Sequence, residues 1–343
     1  MAKLAGTSPA VVSYVLNNGP RPVARDTRAR VLDAVEKLGY RPNGIARSLR
    51  MQRTMTLGLV LPDIANPFFA ELSRAVEEAA FARGYTLLIG NAAEDPHRQT
   101  GYVRTFLDRQ VDGLFLVPAH GPLDCFHELA RSGTPWVAID RHPPNVPDAS
   151  EVHVDHRDGA RRATLHLLEH GRTKIACVAG PSDVRSATDR VAGWFDALQE
   201  STTPNRLLQQ VPFGRLSGYA AATELLAECD VDSFFVASDE QALGVMRAIT
   251  ESGRTCPQDV AVVSFDGIAD GGYVTPSLTT MAQPFSELGA TAMDLLLARL
   301  NDPEMSARKS VLRTTLVIRD SCGCTHPNAD SHKQSSLSES GRA

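Results

Sequence analysis

From Leu57 onward the chain repeats one pattern, a short apolar run followed by a longer stretch with helical spacing of its apolar residues. The runs are LGLVLP (57–62), TLLIG (86–90), GLFLVP (113–118), WVAID (136–140), KIACVAG (174–180), SFFVASD (233–239) and VAVVSFD (260–266). Amphipathic stretches stand between them at 67–83, 98–110, 158–170, 186–200, 217–229 and 239–252. This strand–helix alternation builds parallel, doubly wound α/β sheets. Its length predicts two half-domains of about four to six strands each. Open parallel sheets bind ligands beyond the carboxyl ends of their strands, so the loops after these runs are the candidate cleft.

Those loops hold polar and aromatic side chains. After the first run come Asp63, Asn66, Pro67, Phe68 and Phe69; after the second, Asn91, Glu94 and Asp95; after the fourth, Asp140 and Arg141. Later loops supply Ser186 and Arg190 in GPSDVRSATDR, then Phe213, Ser238, Asp239 and Asp266. Carboxylates and guanidinium groups beside aromatic rings suit a small polyhydroxylated ligand. Vicinal hydroxyls take paired hydrogen bonds, and C–H faces rest on rings. For Asp239, which opens the segment DEQALGVMRAI, helix capping competes with ligand contact.

The start of the chain has the opposite electrostatic character. Of 35 basic and 40 acidic residues, the first 55 positions hold ten and three, a net of +7 against −12 for the remainder. Polyphosphate attracts such a cationic module through counterion release and is repelled by the rest. Within it, AKLAG (2–6) reads as the end of a helix stopped by Gly6. SPAVVSYVLN (8–17) reads as a second helix, with Ser8 as N-cap, Pro9 at the first helical position and Val11, Val12, Val15 and Leu16 on one face. Asp26 and Thr27 precede a third amphipathic segment with Val31, Leu32, Val35 and Leu38 inward, ended by Gly39. Helix, short turn, helix is the helix-turn-helix layout. The segment YRPNGIARSLRMQR (40–53) predicts a helix of about two turns, too short to persist without a groove or a partner copy.

AGTSPAVVSYVLNN (5–18) followed by TRARVLDAVEKLGYRPNGIARSLR (27–50) resembles the headpiece and hinge of the lactose/galactose-repressor (LacI/GalR) family of transcription regulators. The resemblance runs on to about residue 320. It implies a helix-turn-helix headpiece over 1–40, whose first helix begins upstream of Met1 in the family, and a hinge helix and linker over 41–54. It implies a periplasmic-binding-protein-like (type I) effector and dimerisation domain over 55–320, leaving a polar tail, 321–343, that composition marks as disordered.

Carried over by position, the recognition helix is 8–17, with Pro9, Ala10 and Tyr14 at base-reading positions and Ser8, Ser13 and Asn17 beside them. Asn43, Ala46, Arg47 and Arg50 fall on the hinge. Leu49 matches the leucine that wedges into the minor groove, where unstacking costs a few kcal/mol and yields a kinked duplex. Where the family often has Thr and Arg this chain has Val11 and Tyr14, so a guanine or phosphate contact is missing and the family's operator sequence does not transfer. In the effector domain Arg190, Phe213 and Asp266 match sugar-contact positions. The implied protein is a cytoplasmic, nucleoid-associated homodimer, a repressor whose affinity for a pseudo-palindromic operator is set by a small effector, a sugar, bound between half-domains.

Other classes are excluded by what the sequence lacks. No apolar run reaches the roughly 18 residues of a membrane span, and the N-terminus has no signal-peptide core. Phosphate-binding glycine loops and the Gly-x-Ser-x-Gly elbow are absent, so neither an enzyme nor a cofactor is expected. His166, Glu169 and His170 spell H-x-x-E-H, but no third ligand stands out, so surface histidines and no metal are expected. The six cysteines are expected to be reduced thiols. Cys322 and Cys324, one residue apart, suit neither a strain-free disulfide nor half of a zinc site. The competing class, a solute-binding protein that feeds a sugar transporter, accounts for 57–320 but leaves the cationic module without a role.

Overall fold

Ser8 sets where the first helix begins. In the computed structural model, which describes residues 1–16, 21–40, 53–119, 124–143, 146, 149–200 and 207–324, its Oγ accepts a hydrogen bond from the Val11 amide at 3.3 Å. Pro9 then opens α1 (Pro9–Leu16). Just upstream a single helical turn closes at Gly6, whose φ of +61° lets the Thr7 amide reach back to the Ala2 carbonyl at 3.0 Å. Helix α2 (Arg25–Lys37) packs Val31 and Ala34 against Ala5, Val12 and Val15 in a small core of its own. These elements belong to a first compact unit, Met1–Thr54; Met55 onward forms the second.

Two expectations for the first unit need correcting. Leu32 and Leu38 are 49% and 53% exposed instead of facing inward. Leu32 lies about 100° round the helix from Val31, and Leu38 falls beyond the last helical residue, so Ala34 completes the buried stripe. The helix also starts at Arg25 behind an Ala24 cap that makes no side-chain bond, which puts Asp26 in the first turn. There its charge still faces the positive end of the helix dipole. Asn17 and the hinge residues Asn43, Ala46, Arg47, Leu49 and Arg50 lie outside the described residues.

The second unit contains two six-stranded sheets. The first half-domain is built from β1 (Thr56–Leu61), α3 (Pro67–Phe81), β2 (Thr86–Asn91), α4 (Pro96–Asp108), β3 (Gly113–Leu116), α5 (Cys125–Ser132), β4 (Trp136–Ile139) and β5 (Ser150–Val154). The second half-domain follows with α6 (His156–Glu169), β6 (Ile175–Ala179), α7 (Arg185–Glu200), β7 (Leu207–Gln210), α8 (Arg215–Glu228), β8 (Ser233–Val236), α9 (Asp239–Glu251), β9 (Ala261–Asp266) and β10 (Thr279–Ala282). Helix α10 (Phe285–Asn301) and β11 (Lys309–Leu312) return to the first half, and β12 (Thr315–Val317) ends in the second. The strand orders are β11-β5-β4-β3-β1-β2 and β12-β10-β9-β8-β6-β7. Every pairing is parallel except β10 with β12.

Helices cover both faces of the sheets, so the central strands β3, β6, β8 and β9 are buried along their whole length. This is why their apolar runs were continuous in the sequence. Each half-domain has the six strands at the upper end of the expectation. The sequence reading omitted β5, β7, β10, β11 and β12, which are short, polar-rich or at sheet edges, and also the helices α5 and α10. Its tail boundary also moves. Ser321 and Cys322 are buried, with the Ser321 hydroxyl donating to the Val262 carbonyl at 2.7 Å and accepting from the Thr279 amide at 2.8 Å. The packed body therefore extends to Cys324 instead of stopping at 320, held by hydrogen bonds that composition does not reveal. No helix among the described residues is long and apolar enough to cross a membrane.

Candidate effector site and DNA-reading face

The loops at the carboxyl ends of the two sheets close around a narrow cavity of about 20 Å³. The first half-domain contributes Asn66, Phe68 and Phe69 after β1, and Asp140 and Arg141 after β4. The second contributes Ser186 and Arg190 from α7, Phe213 after β7, Ser238 after β8, and Asp266 from the end of β9. Ten of the sixteen loop residues named from the sequence thus line one cavity.

Arg190 is the hub of this wall and is 3% exposed. Its guanidinium lies 3.2 Å from the Asp266 carboxylate, donates to the Ala237 carbonyl and stacks 3.9 Å over the Phe265 ring. Its Nε donates to His156 Nδ1 at 3.3 Å. That bond requires a lone pair on Nδ1, so His156 is neutral and carries its proton on Nε2, 3.4 Å from the Asp140 carbonyl oxygen. Burial and then the charge of Arg190 hold the imidazole well below its usual range, consistent with that tautomer.

The two cleft carboxylates sit on strained backbone. Asp140 has φ +65° and Asp266 φ +121°, conformations that cost on the order of 1–3 kcal/mol each in a non-glycine residue. Burial pushes the Asp266 carboxyl up to about 8 against the pull of Arg190, with Asp239 and Asp140 adding repulsion. Burial also raises Asp140, opposed by Arg190, Arg141 and His142. Asp140 Oδ1 is buried with no hydrogen-bond partner among the described residues, and His156 Nε2, at 3.9 Å, is beyond hydrogen-bond reach. A buried acceptor left unpaired in a native site calls for an explanation.

The remaining groups are held in place around these three. Arg141 grips Glu94 through both terminal nitrogens at 3.0 and 3.2 Å and lies 5.5 Å from the Phe69 ring centroid. Asn66 caps α3, accepting from the Phe68 amide at 3.0 Å, so its amide is divided between structure and cavity. Phe213 lies so close over residue 180 that a Cβ there would stand 2.1 Å from its ring, which is why that position is glycine.

Asp63, Pro67, Asn91, Glu94, Asp95 and Asp239 are not in the wall. Asn91 accepts from the Ile64 and Ala93 amides at 3.2 and 3.3 Å and ties the first two loops together. Asp239 neither caps a helix nor faces the cavity, because Ser238 is the cap of α9, accepting from the Gln241 amide at 3.2 Å. The Asp239 carboxylate accepts instead from the hydroxyls of Ser264 and Thr280 and from the amides of Gly267 and Ile268. Conversely, the sequence reading missed His156, Phe265 and Gln283, whose amide donates to Asp266 at 3.0 Å. The loop rule would have found His156 and Gln283 had β5 and β10, which they follow, been recognised.

In the first unit the opening turn of α1 leaves Ser8, Pro9 and Ala10 exposed, with Ser13 and Tyr14 half-exposed, while Val12 and Val15 face the core. Arg21, Arg25, Arg28 and Arg30 are exposed as well. A helix with an exposed first turn amid unburied arginines has the requirements for entering a major groove.

Comparison with known proteins decides what these two units are. Residues 1–43 match the bacterial regulatory proteins of the lacI family, and residues 164–322 match a periplasmic binding protein-like domain. A ribose operon repressor of Halalkalibacterium halodurans is 36% identical over 93% of this chain and 95% of its own length. The chain belongs to the LacI family. The Lac repressor dimer bound to operator and the anti-inducer ONPF superposes with a TM-score of 0.83 at 28% identity, covering 94% of this chain and 97% of that one. A LacI family regulator of Enterococcus faecium with bound ribose superposes at 0.71 with 30% identity, over 78% of this chain and 98% of its own. The LacI-family chain is therefore a DNA-binding transcriptional regulator with a small-molecule effector domain, and not an enzyme. The headpiece match removes the transporter-feeding alternative.

Proposed function

We propose that this regulator is a homodimeric repressor that holds a pseudo-palindromic operator through two copies of α1 and senses a monosaccharide in the cavity around Arg190. The observation that carries the reading is the trio of Asp140, Arg190 and Asp266 beside Phe68 and Phe213. Two carboxylates and a guanidinium offer paired hydrogen bonds to neighbouring hydroxyls, and the rings offer faces to sugar C–H groups. Asp140 Oδ1 supplies a buried acceptor for one hydroxyl. The ribose named for two of its relatives makes an aldopentose the first compound to test.

Sugar binding acts by preferring one relative setting of the half-domains, since a ligand shifts an equilibrium only by its differential affinity. Leu49 and the hinge segment 41–54 carry that setting to DNA through a minor-groove wedge. Ser8, Pro9, Ala10, Ser13, Tyr14 and Asn17 face the bases, while Asn43, Ala46, Arg47 and Arg50 serve the hinge contacts. The protein works in the cytoplasm, at the nucleoid. A thermal-shift and calorimetric panel of pentoses, hexoses, disaccharides and nucleosides tests the ligand class. Saturable binding of a monosaccharide is expected; binding of nucleosides or disaccharides alone contradicts it.

A further inference from the structure

The histidines and cysteines read as unremarkable in the sequence meet in space. His166 and His170 lie one turn apart at the end of α6, and His166 is only 7% exposed. The segment after β12 folds back through its buried Ser321 and delivers Cys324 to the same place. Cys324 Sγ stands 2.9 Å from His170 Nε2 and 3.6 Å from His166 Nε2, and the imidazole centroids are 4.5 Å apart. The three donor atoms all lie within 4.8 Å of one another. Cys322, buried nearby, turns its thiol to the Arg319 carbonyl at 3.4 Å.

A second feature independently points to a metal. His170 Nδ1 is 2.8 Å from the His166 carbonyl oxygen and must donate to it, which leaves the Nε2 lone pair aimed at Cys324. A backbone carbonyl on the far ring nitrogen is the usual way a ligating histidine has its tautomer and orientation fixed. Tetrahedral zinc, with bonds of about 2.3 Å to sulfur and about 2.0–2.1 Å to nitrogen, separates the two donors by about 3.5 Å. The Cys324–His166 distance already meets this, and a small outward swing of the exposed His170 ring brings the other to it.

We propose that His166, His170 and Cys324 bind a zinc-class divalent cation, leaving its fourth position to water. Imidazole and thiolate donors suit Zn²⁺ over Mg²⁺ or Ca²⁺. Cys324 binds as thiolate, so loading releases its one proton and transfers no electrons. The ion staples the segment after β12 to α6, the helix whose first residue, His156, lies against Arg190. The site is separate from the sugar reading, and its test uses neither DNA nor effector.

The test is titration of reduced, metal-stripped full-length protein with Co²⁺, followed by displacement with Zn²⁺. One Co²⁺ per chain with a thiolate-to-cobalt charge-transfer band, abolished by Zn²⁺, is expected, together with a higher melting midpoint in Zn²⁺. His170→Ala and Cys324→Ser should each weaken Zn²⁺ binding by on the order of a hundredfold. Absence of the charge-transfer band in the wild type overturns the proposal, whatever the variants do. So does a band that survives in the His166→Ala/His170→Ala double variant.

Discussion

Two buried aspartates, Asp239 and Asp266, stand side by side behind and in the cleft, and their surroundings differ in kind. Asp239 accepts two hydroxyls and two backbone amides, all within 2.8 Å, and fastens the end of β9 and its following loop to the start of α9. Asp266 sits on strained backbone, balanced between Arg190 and Gln283, next to an Asp140 oxygen with no partner among the described residues. The first environment is complete without a ligand. The second holds buried polar capacity and backbone strain that stability alone does not account for. Residue type and position in the chain do not separate the two; hydrogen-bond satisfaction does.

The contrast breaks most directly at Asp239. Replacing it with Ala strands two hydroxyls and two amides in the interior and should cost roughly 3–5 kcal/mol in chemical denaturation. A loss under about 1 kcal/mol would mean that Asp239 is not the hub described.

Arg190→Ala should cost stability, since its buried partners lose their donor, and should also strip the cavity of its guanidinium. Losing the charged hydrogen-bond donors of the guanidinium should remove about 1.5–3 kcal/mol of binding, a fall in sugar affinity of tenfold or more by calorimetry. Operator binding without sugar should persist in this variant. Unchanged sugar affinity would take Arg190 out of the site.

Asp140→Asn sharpens the comparison, since this group has little native hydrogen bonding to lose. Unfolding free energy should stay within about 0.5 kcal/mol of wild type, while sugar affinity falls about tenfold, one lost hydrogen bond to a charged acceptor. A large stability loss with normal sugar binding would invert the assignment of the two regions.

A further contrast lies in pH dependence. Asp266, raised to about 8 chiefly by burial, binds its proton more tightly folded than unfolded, where an aspartate titrates near 3.9. Its contribution to stability is full below about pH 4 and is lost as pH rises towards 8. Melting midpoints should therefore decline across that window by more in the wild type than in Asp266→Asn, and equal slopes would contradict the assignment.

The sequence made the fold legible where its physics is strongest. Fully buried parallel strands read as continuous apolar runs, and Asp140, Arg190 and Asp266 followed from the rule that ligands sit beyond strand ends. What stayed hidden was hidden by edges and by pairing. SEVHV (150–154) alternates Glu and His with Val, carries no buried-strand signature, and so concealed His156 at its end. Asp239 was misassigned because a helix-opening aspartate looks alike whether it caps, binds or braces a loop. The His166, His170 and Cys324 cluster joins residues 154 positions apart, a distance no local pattern reaches.

The central claim is that a sugar in the Arg190 cavity resets the grip of the headpiece on DNA. Fluorescence anisotropy of a labelled operator with full-length protein, titrated with the monosaccharide chosen by the thermal-shift panel, measures it directly. The account predicts that sugar changes operator affinity by roughly 5- to 150-fold and that Arg190→Ala abolishes the change while still binding operator. An operator affinity indifferent to a sugar that demonstrably binds, or an Arg190→Ala protein that responds like wild type, would contradict it.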